Sequence, residues 1–413
     1  MQLIKNSIWN LLGYILPAIA TIISFGVIGR TLGLELFGIF SLILAVIGYS
    51  SIFDLGLTRS VIREIAIYKN NHEEKKHIIS SSSSIVLILG FLSGASIFLF
   101  KNNILIILNI HPNHYNSVSY SLTIASIIIP IFLLNQIWLS ILEGEEKFGI
   151  LNIYKSFSGA FISLTPAIFL LINPTLEYAI LGLFLSRLFC LITTFFLCKK
   201  EILKSGLRPN KRTIKRLFFF GSWITMSNIV SPIMAYFDRF IISNKLGASS
   251  VALYTAPAEI ISKLSMFPGA FSRAIYPYLS SNRKIEEKKH AKKTITYILC
   301  IFNIPIIIIF SLFSQDILKI WLGDSFGSIS ADVLQILILG YFFNSLAQIP
   351  FSSLQSLGLA KITALVHLIE LVPYIILLFS LLKNMGVIGA AYAWSIRMLI
   401  DYVILLCLDK KYS

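Results

Sequence analysis

Residues 217–280 read LFFFGSWITMSNIVSPIMAYFDRFIISNKLGASSVALYTAPAEIISKLSMFPGAFSRAIYPYLS. Two apolar segments of membrane length flank a tight turn at Lys245-Leu246-Gly247. The first carries Asp238 and Arg239, and the second Glu259, Lys263 and Arg273. A charge at the bilayer centre costs about 2.5–3.5 kcal/mol on insertion scales. Residues of this kind face a protein interior or a watery cavity. The expectation is a scaffold of helices built around such a cavity.

The composition agrees. The chain of 413 residues is 56% hydrophobic and only 13% charged, with a net charge of +15 and a mean hydropathy of +0.80. Runs of about 20 apolar residues recur along its length, and in lipid only helices satisfy the backbone economically at that spacing. Twelve spans are expected, near 8–29, 37–57, 80–100, 118–141, 152–172, 178–198, 218–243, 251–279, 295–313, 331–354, 362–382 and 388–407. The serine run Ser80–Ser84 does not interrupt its span, because hydroxyls bond back into a helix or across to another. The first span reads as the start of the bundle and not as a cleavable signal.

Charge bias orients the chain. Of 35 Lys and Arg residues, 24 fall at the termini and in one set of loops, 5 in the opposite loops and 6 within spans. The rich side includes the 199–216 run KKEILKSGLRPNKRTIKR and the tail Lys410-Lys411. Both termini are therefore expected in the cytoplasm. The same bias explains the basic net charge by orientation and anionic lipid, without nucleic acid as a partner. Cys190, Cys198, Cys300 and Cys407 lie in or beside apolar segments and form no metal or disulfide pattern. His111 and His114 share a loop with no acid or thiol close by, which is a weak metal signal. No metal, cofactor or catalytic residue is implied. The nucleotide-binding pattern GxxxxGK[ST] is absent.

An offset of 214 residues aligns positions 3–59 with 217–273 without gaps, giving eleven identities. Trp9 meets Trp223, Leu32-Gly33 meets Leu246-Gly247, Phe53 meets Phe267 and Arg59 meets Arg273. An even number of spans per half makes this a parallel repeat about the membrane normal. The expected division is a six-helix lobe at 1–200, a basic linker at 201–216 and a second six-helix lobe at 217–413. Ten of the thirteen prolines lie in or near spans, which suits a bundle that bends.

The ionisable residues within spans are the candidate site. Arg59, Arg187, Arg239, Lys263, Arg273 and Arg397 are candidate substrate contacts, since guanidinium binds phosphate oxygens bidentately. Asp54, Asp238, Glu259, Glu370 and Asp401 are candidate gating or coupling acids. Glu259 and Lys263 share a helix face, as do Arg397 and Asp401, and each couple could equally be a neutral structural pair. Asp238 and Arg239 are adjacent, point about 100° apart and need partners elsewhere. His367 and Glu370 share one face of their span.

The strings NSIWNLLGYILPAIATIISFGVIGRTLGLELFGIFSLI, FDLGLTRSVIREIA and LEGEEKFGILNIYKS resemble polysaccharide repeat-unit flippases. FGSWITMSNIVSPIMAYFDRFIISNKLGASSVALYTAP, LGYFFNSLAQIPFSSLQSLGLAKITA and GVIGAAYAWSIR continue the same pattern. Together they are similar to the O-antigen flippases (Wzx type) of the MOP exporter superfamily, which also holds multidrug extruders and the lipid II flippase. The resemblance implies a two-lobed all-α bundle with a V-shaped central cavity in the bacterial inner membrane. It implies alternating-access transfer of an undecaprenyl-pyrophosphate-linked oligosaccharide, an O-antigen or capsule unit, to the periplasmic leaflet. A polysaccharide polymerase and a chain-length regulator are the implied protein partners, beside membrane lipid. Asp54 and Arg59 of DLGLTR, and Asp238 and Arg239 of YFDRF, are the motif residues it covers. A cation-coupled multidrug antiporter of the same superfamily is the competing reading, and a membrane polymerase a third, which the short outer loops count against.

Overall fold

Two glycines 214 residues apart turn the backbone alike. Gly33 has φ 71° and ψ −178°, and Gly247 has φ 82° and ψ 172°. An L side chain rarely adopts either conformation, so glycine is the residue both turns require. These are two of the positions the sequence offset matched. The side chains of Trp9 and Trp223, also matched, lie outside the described residues.

The computed structural model describes residues 2–206, 209–281 and 284–412, with the side chains of 2–14, 220–235 and 360 left out. Every regular element among the described residues is helical. Among the described residues, eight helical stretches are long and apolar enough to cross a bilayer. The chain is an all-α polytopic membrane protein. Two of the stretches, of 40 and 52 residues, are about twice the length that one crossing needs. Each breaks at a glycine of positive φ, Gly33 or Gly386, and not at a proline.

Contacts divide the chain into two units. The first comprises Leu12–Leu32 and Ile39–Ala248. It holds most of α1 (Gln2–Tyr49), then α2 (Leu57–Ile67), α3 (His72–Ile107), α4 (Tyr115–Gly144), α5 (Phe148–Ile172), α6 (Leu176–Leu197), α7 (Lys199–Ser205) and α8 (Lys211–Leu246). Its core joins Leu57, Val61 and Ile65 of α2 to Ile78 and Val86 of α3 and to Ile129, Ile137 and Ile141 of α4. Buried small residues bring α3 and α4 together. A Cβ on Gly90 would stand 2.8 Å from Pro130 Cα, and one on Gly94 would collide with the Ser126 carbonyl oxygen. The serine run behaves as expected: Ser82 donates back to the Ile79 carbonyl at 3.2 Å, and Ser83 accepts from Trp138 Nε1 at 3.2 Å. Such close backbone approach is how helices associate where lipid gives no hydrophobic advantage.

The second unit comprises Met1–Leu11, Gly33–Gly38 and Ser249–Ser413. It holds α9 (Ala248–Leu264), α10 (Met266–Ser280), α11 (Ile285–Leu312), α12 (Ser314–Leu322), α13 (Ile329–Ser356) and α14 (Ala360–Tyr412). α13 lies at its centre, against α10, α11, α12 and α14. Two polar ties cross the packing. Asn303 Nδ2 donates to Ser345 Oγ at 2.7 Å and accepts from Tyr341 Oη at 2.8 Å through Oδ1. Lys292 Nζ meets Asp409 Oδ2 at 2.8 Å. α14 folds at Gly386 (φ 59°), and a Cβ on the nearby Gly389 would collide with the Leu381 carbonyl.

The helix contact at Gly94 yields a paired prediction. Gly94→Ala overpacks α3 against α4 and lowers stability by about 1–3 kcal/mol. Gly149→Ala, where a Cβ meets nothing within 4 Å, stays within about 0.5 kcal/mol of the parent. Thermal unfolding of the detergent-purified variants reads the difference.

Candidate functional site

The fold buries some of the intramembrane charges and leaves others exposed. Asp238 is 5% exposed and Arg239 8%, while the side chains of Lys263 and Arg397 are 20% and 11% exposed. None of these four faces acyl tails.

In the first unit the charges sit among aromatic rings. The backbone N–H of Arg239 donates to Asp238 Oδ1 at 2.7 Å. The guanidinium of Arg239 lies 5.2 Å from the centroid of Tyr236, close enough for the ring quadrupole to attract it. Tyr49 of α1 packs on Tyr236 at 6.0 Å and on Phe240 at 5.3 Å. Gly48 makes this possible, since a Cβ there would stand 3.3 Å from Tyr236. Arg187 of α6 is separate from this nest. Its guanidinium lies 4.8 Å from the Phe132 ring, and its buried Nε makes no hydrogen bond among the described residues. Asp54 acts locally, for both its oxygens accept from the Thr58 N–H, at 3.1 Å each, at the start of α2. That is a capping role. Arg59 on α2 and its repeat equivalent Arg273 on α10 are both exposed.

In the second unit, Glu259 and Lys263 pair on α9 at 3.6 Å, as their spacing required. The other charges form a cluster across the bend in α14. His367, Glu370 and Tyr374 lie before Gly386, and Arg397 and Asp401 after it. Arg397 Nε reaches Glu370 Oε2 at 3.9 Å, and His367 Nε2 reaches Asp401 Oδ1 at 3.5 Å. The Arg397 guanidinium lies 5.2 Å from the Tyr374 ring. His367 stacks flat on Phe351 of α13, 5.7 Å between centroids. Spacing put Arg397 and Asp401 on one face of a helix, and these ion contacts instead cross between the two arms of α14.

Glu370 and Asp401 are each 6% exposed, and both Glu370 oxygens lack a hydrogen bond among the described residues. Among those residues the two carboxylates share the cluster with one guanidinium and one imidazole.

One functional-looking site escaped the sequence reading. Glu64 of α2 is 2% exposed, and it meets Arg63 Nη1 at 2.9 Å and Arg216 Nε at 2.5 Å. Arg216 also meets Glu74 at 2.8 Å and covers the Tyr68 ring at 4.7 Å. The run 199–216 therefore does more than orient the chain, for its last arginine ties α8 to α2 and α3. The signal was available: Glu64 lies on the face of Leu57, Val61 and Ile65, at helical spacing.

The α14 cluster gives a stability prediction. Arg397→Met strips a cation from buried acids and destabilises by about 3–5 kcal/mol. The double variant Arg397→Met/Glu370→Met recovers most of that loss, because charge and countercharge leave together. Thermal melts of both variants beside the parent measure the recovery.

The comparisons with known proteins place this architecture. A family model described as "Polysaccharide biosynthesis protein" matches residues 3–283, and a second, MatE, matches 224–380. A curated relative from Shigella flexneri, named a putative O-antigen transporter, is 44% identical over 405 residues, covering 98% of this chain and 97% of its own. An inward-facing multidrug resistance MATE family transporter of the MOP superfamily superposes with a TM-score of 0.81 at 13% identity, over 98% of this chain and 97% of its own. The lipid II flippase MurJ in an inward closed conformation gives 0.78 at 21%, over 98% and 87%. At those identities the two structures are evidence of the fold. The resemblance read from the opening motifs is borne out: the chain belongs to the polysaccharide biosynthesis protein family.

Proposed function

We propose that this chain is a flippase that carries lipid-linked oligosaccharide repeat units, O-antigen or capsule units on undecaprenyl pyrophosphate, from the cytoplasmic to the periplasmic leaflet. The observation that carries this reading is the 44% identity, end to end, with a protein named a putative O-antigen transporter. That identity runs over 98% of this chain and 97% of the relative. The intramembrane bases support it, because a pyrophosphate headgroup needs cations at bilayer depth and the tail needs none.

On this proposal the halves 1–200 and 217–413 are lobes that rock about a shared cavity, with 201–216 as the linker. Both termini lie in the cytoplasm and the chain resides in the inner membrane. Arg59 and Arg273, exposed at equivalent positions of the repeat, meet the headgroup at entry. Arg239, Lys263, Arg397 and Arg187 stabilise its phosphates in transit. Glu370 and Asp401, buried beside Arg397 and His367, are the coupling acids. Asp238 and Glu259 gate by pairing with neighbouring bases, and Asp54 holds the start of α2. A polymerase and a chain-length regulator take up the delivered units.

A second reading, a cation-coupled multidrug antiporter, is favoured by the MatE match over 224–380. The two separate in a flippase-null bacterium complemented with the gene. The flippase reading expects restored surface glycan and no gain in dye efflux. Arg239→Ala and Arg273→Ala are expected to cut surface glycan by roughly tenfold or more at matched protein level, the loss of one charge-assisted phosphate contact. Full display by both variants removes their assigned role, and dye efflux without glycan display favours the antiporter.

A further inference from the structure

A cavity of about 470 Å³ opens where the start of α3 meets α7. His72, Lys75, Lys76 and Ile79 line it from α3, and Lys200, Glu201 and Lys204 from α7. Two of its cations are already paired: Lys75 with Glu145, and Lys76 with Glu73 at 2.6 Å. Lys200 and Lys204 enter no ion pair among the described residues. The Lys75–Glu145 pair ties α3 to the α4–α5 turn, and against the single carboxylate of Glu201 the two remaining lysines leave the cavity net positive. Ile79, 1% exposed, gives it an apolar floor.

Its depth decides what it can hold. Lys75 and Lys76 precede the apolar run that opens at Ile78, and Lys200 follows Leu197, the last residue of α6. At 1.5 Å per residue these lysines stand about 3–5 Å outside the hydrocarbon. The headgroup layer is about 5–7 Å deep on each side. A phosphodiester in that layer sits level with the lysine ammonium groups, and its glycerol backbone meets the apolar floor. Basic pockets between transmembrane helices at this level take anionic lipid headgroups. We infer that the α3–α7 cavity is a seat for the phosphate of one anionic phospholipid, separate from the intramembrane charges that serve transport. Occupancy fastens the short helix α7, and with it the end of α6, to the bilayer surface.

Native mass spectrometry of the full-length protein in mild detergent tests this, with phosphatidylglycerol and phosphatidylcholine offered at equal concentration. One retained phosphatidylglycerol per chain is expected, well above phosphatidylcholine. Lys200→Gln/Lys204→Gln is expected to lower that adduct by roughly tenfold. Lys211→Gln/Lys215→Gln removes the same charge from exposed positions on α8 and is expected to leave it within about twofold, as general surface attraction alone predicts equal losses. Equal loss in both variants, or no loss in the first, overturns the assignment. Full displacement of the lipid by millimolar glycerol phosphate overturns it too, by naming a soluble phosphate as the ligand. All four lysines are exposed, so folding is not at stake in either variant.

Discussion

The price of an ion in hydrocarbon shapes this molecule more than any other term. Each buried charge must face a countercharge, a ring or a backbone group, and the helices are arranged so that it does. Arg239 lies by Tyr236, Arg187 by Phe132, Lys263 by Glu259 and Arg397 by Glu370. Aromatic faces do much of this, since cation–π attraction strengthens when water is excluded. The apolar surface facing lipid carries no such obligations and is left exposed, as at Ile301, Leu312 and Ile376.

Glycine supplies what the helices cannot. Gly33, Gly247 and Gly386 reverse or break long helices through positive φ, and Gly90, Gly94 and Gly340 let neighbouring helices close to near-contact. The bend at Gly386 has the largest chemical consequence. It folds one apolar run of 53 residues so that an acid before the bend faces a base after it. A straight helix of that length could hold neither the cluster nor the bilayer thickness.

Much of the fold was legible in the sequence. Hydropathy located the spans, because burying backbone in lipid leaves only helices as a solution. The 214-residue offset anticipated matched turns at Gly33 and Gly247, and the i,i+4 spacing anticipated the Glu259–Lys263 pair. The family was readable from its opening motifs. The site was less so. Asp54 was singled out as a candidate gating or coupling acid, and its carboxylate accepts from the Thr58 N–H at the start of α2. Glu64 was passed over, and it is among the most deeply buried acids of the described chain.

Sequence alone determined that the protein is helical, crosses the membrane repeatedly and belongs to the polysaccharide biosynthesis protein family. These follow from residue type and spacing along one chain. Only the tertiary structure decided which charge meets which. Spacing within a helix fixes the face a residue occupies, and it says nothing about the helix that will come to lie against that face. His367 meets Asp401, and Arg397 meets Glu370, because a glycine between them permits a turn. Arg216 meets Glu64 because two helices far apart in the chain pack together.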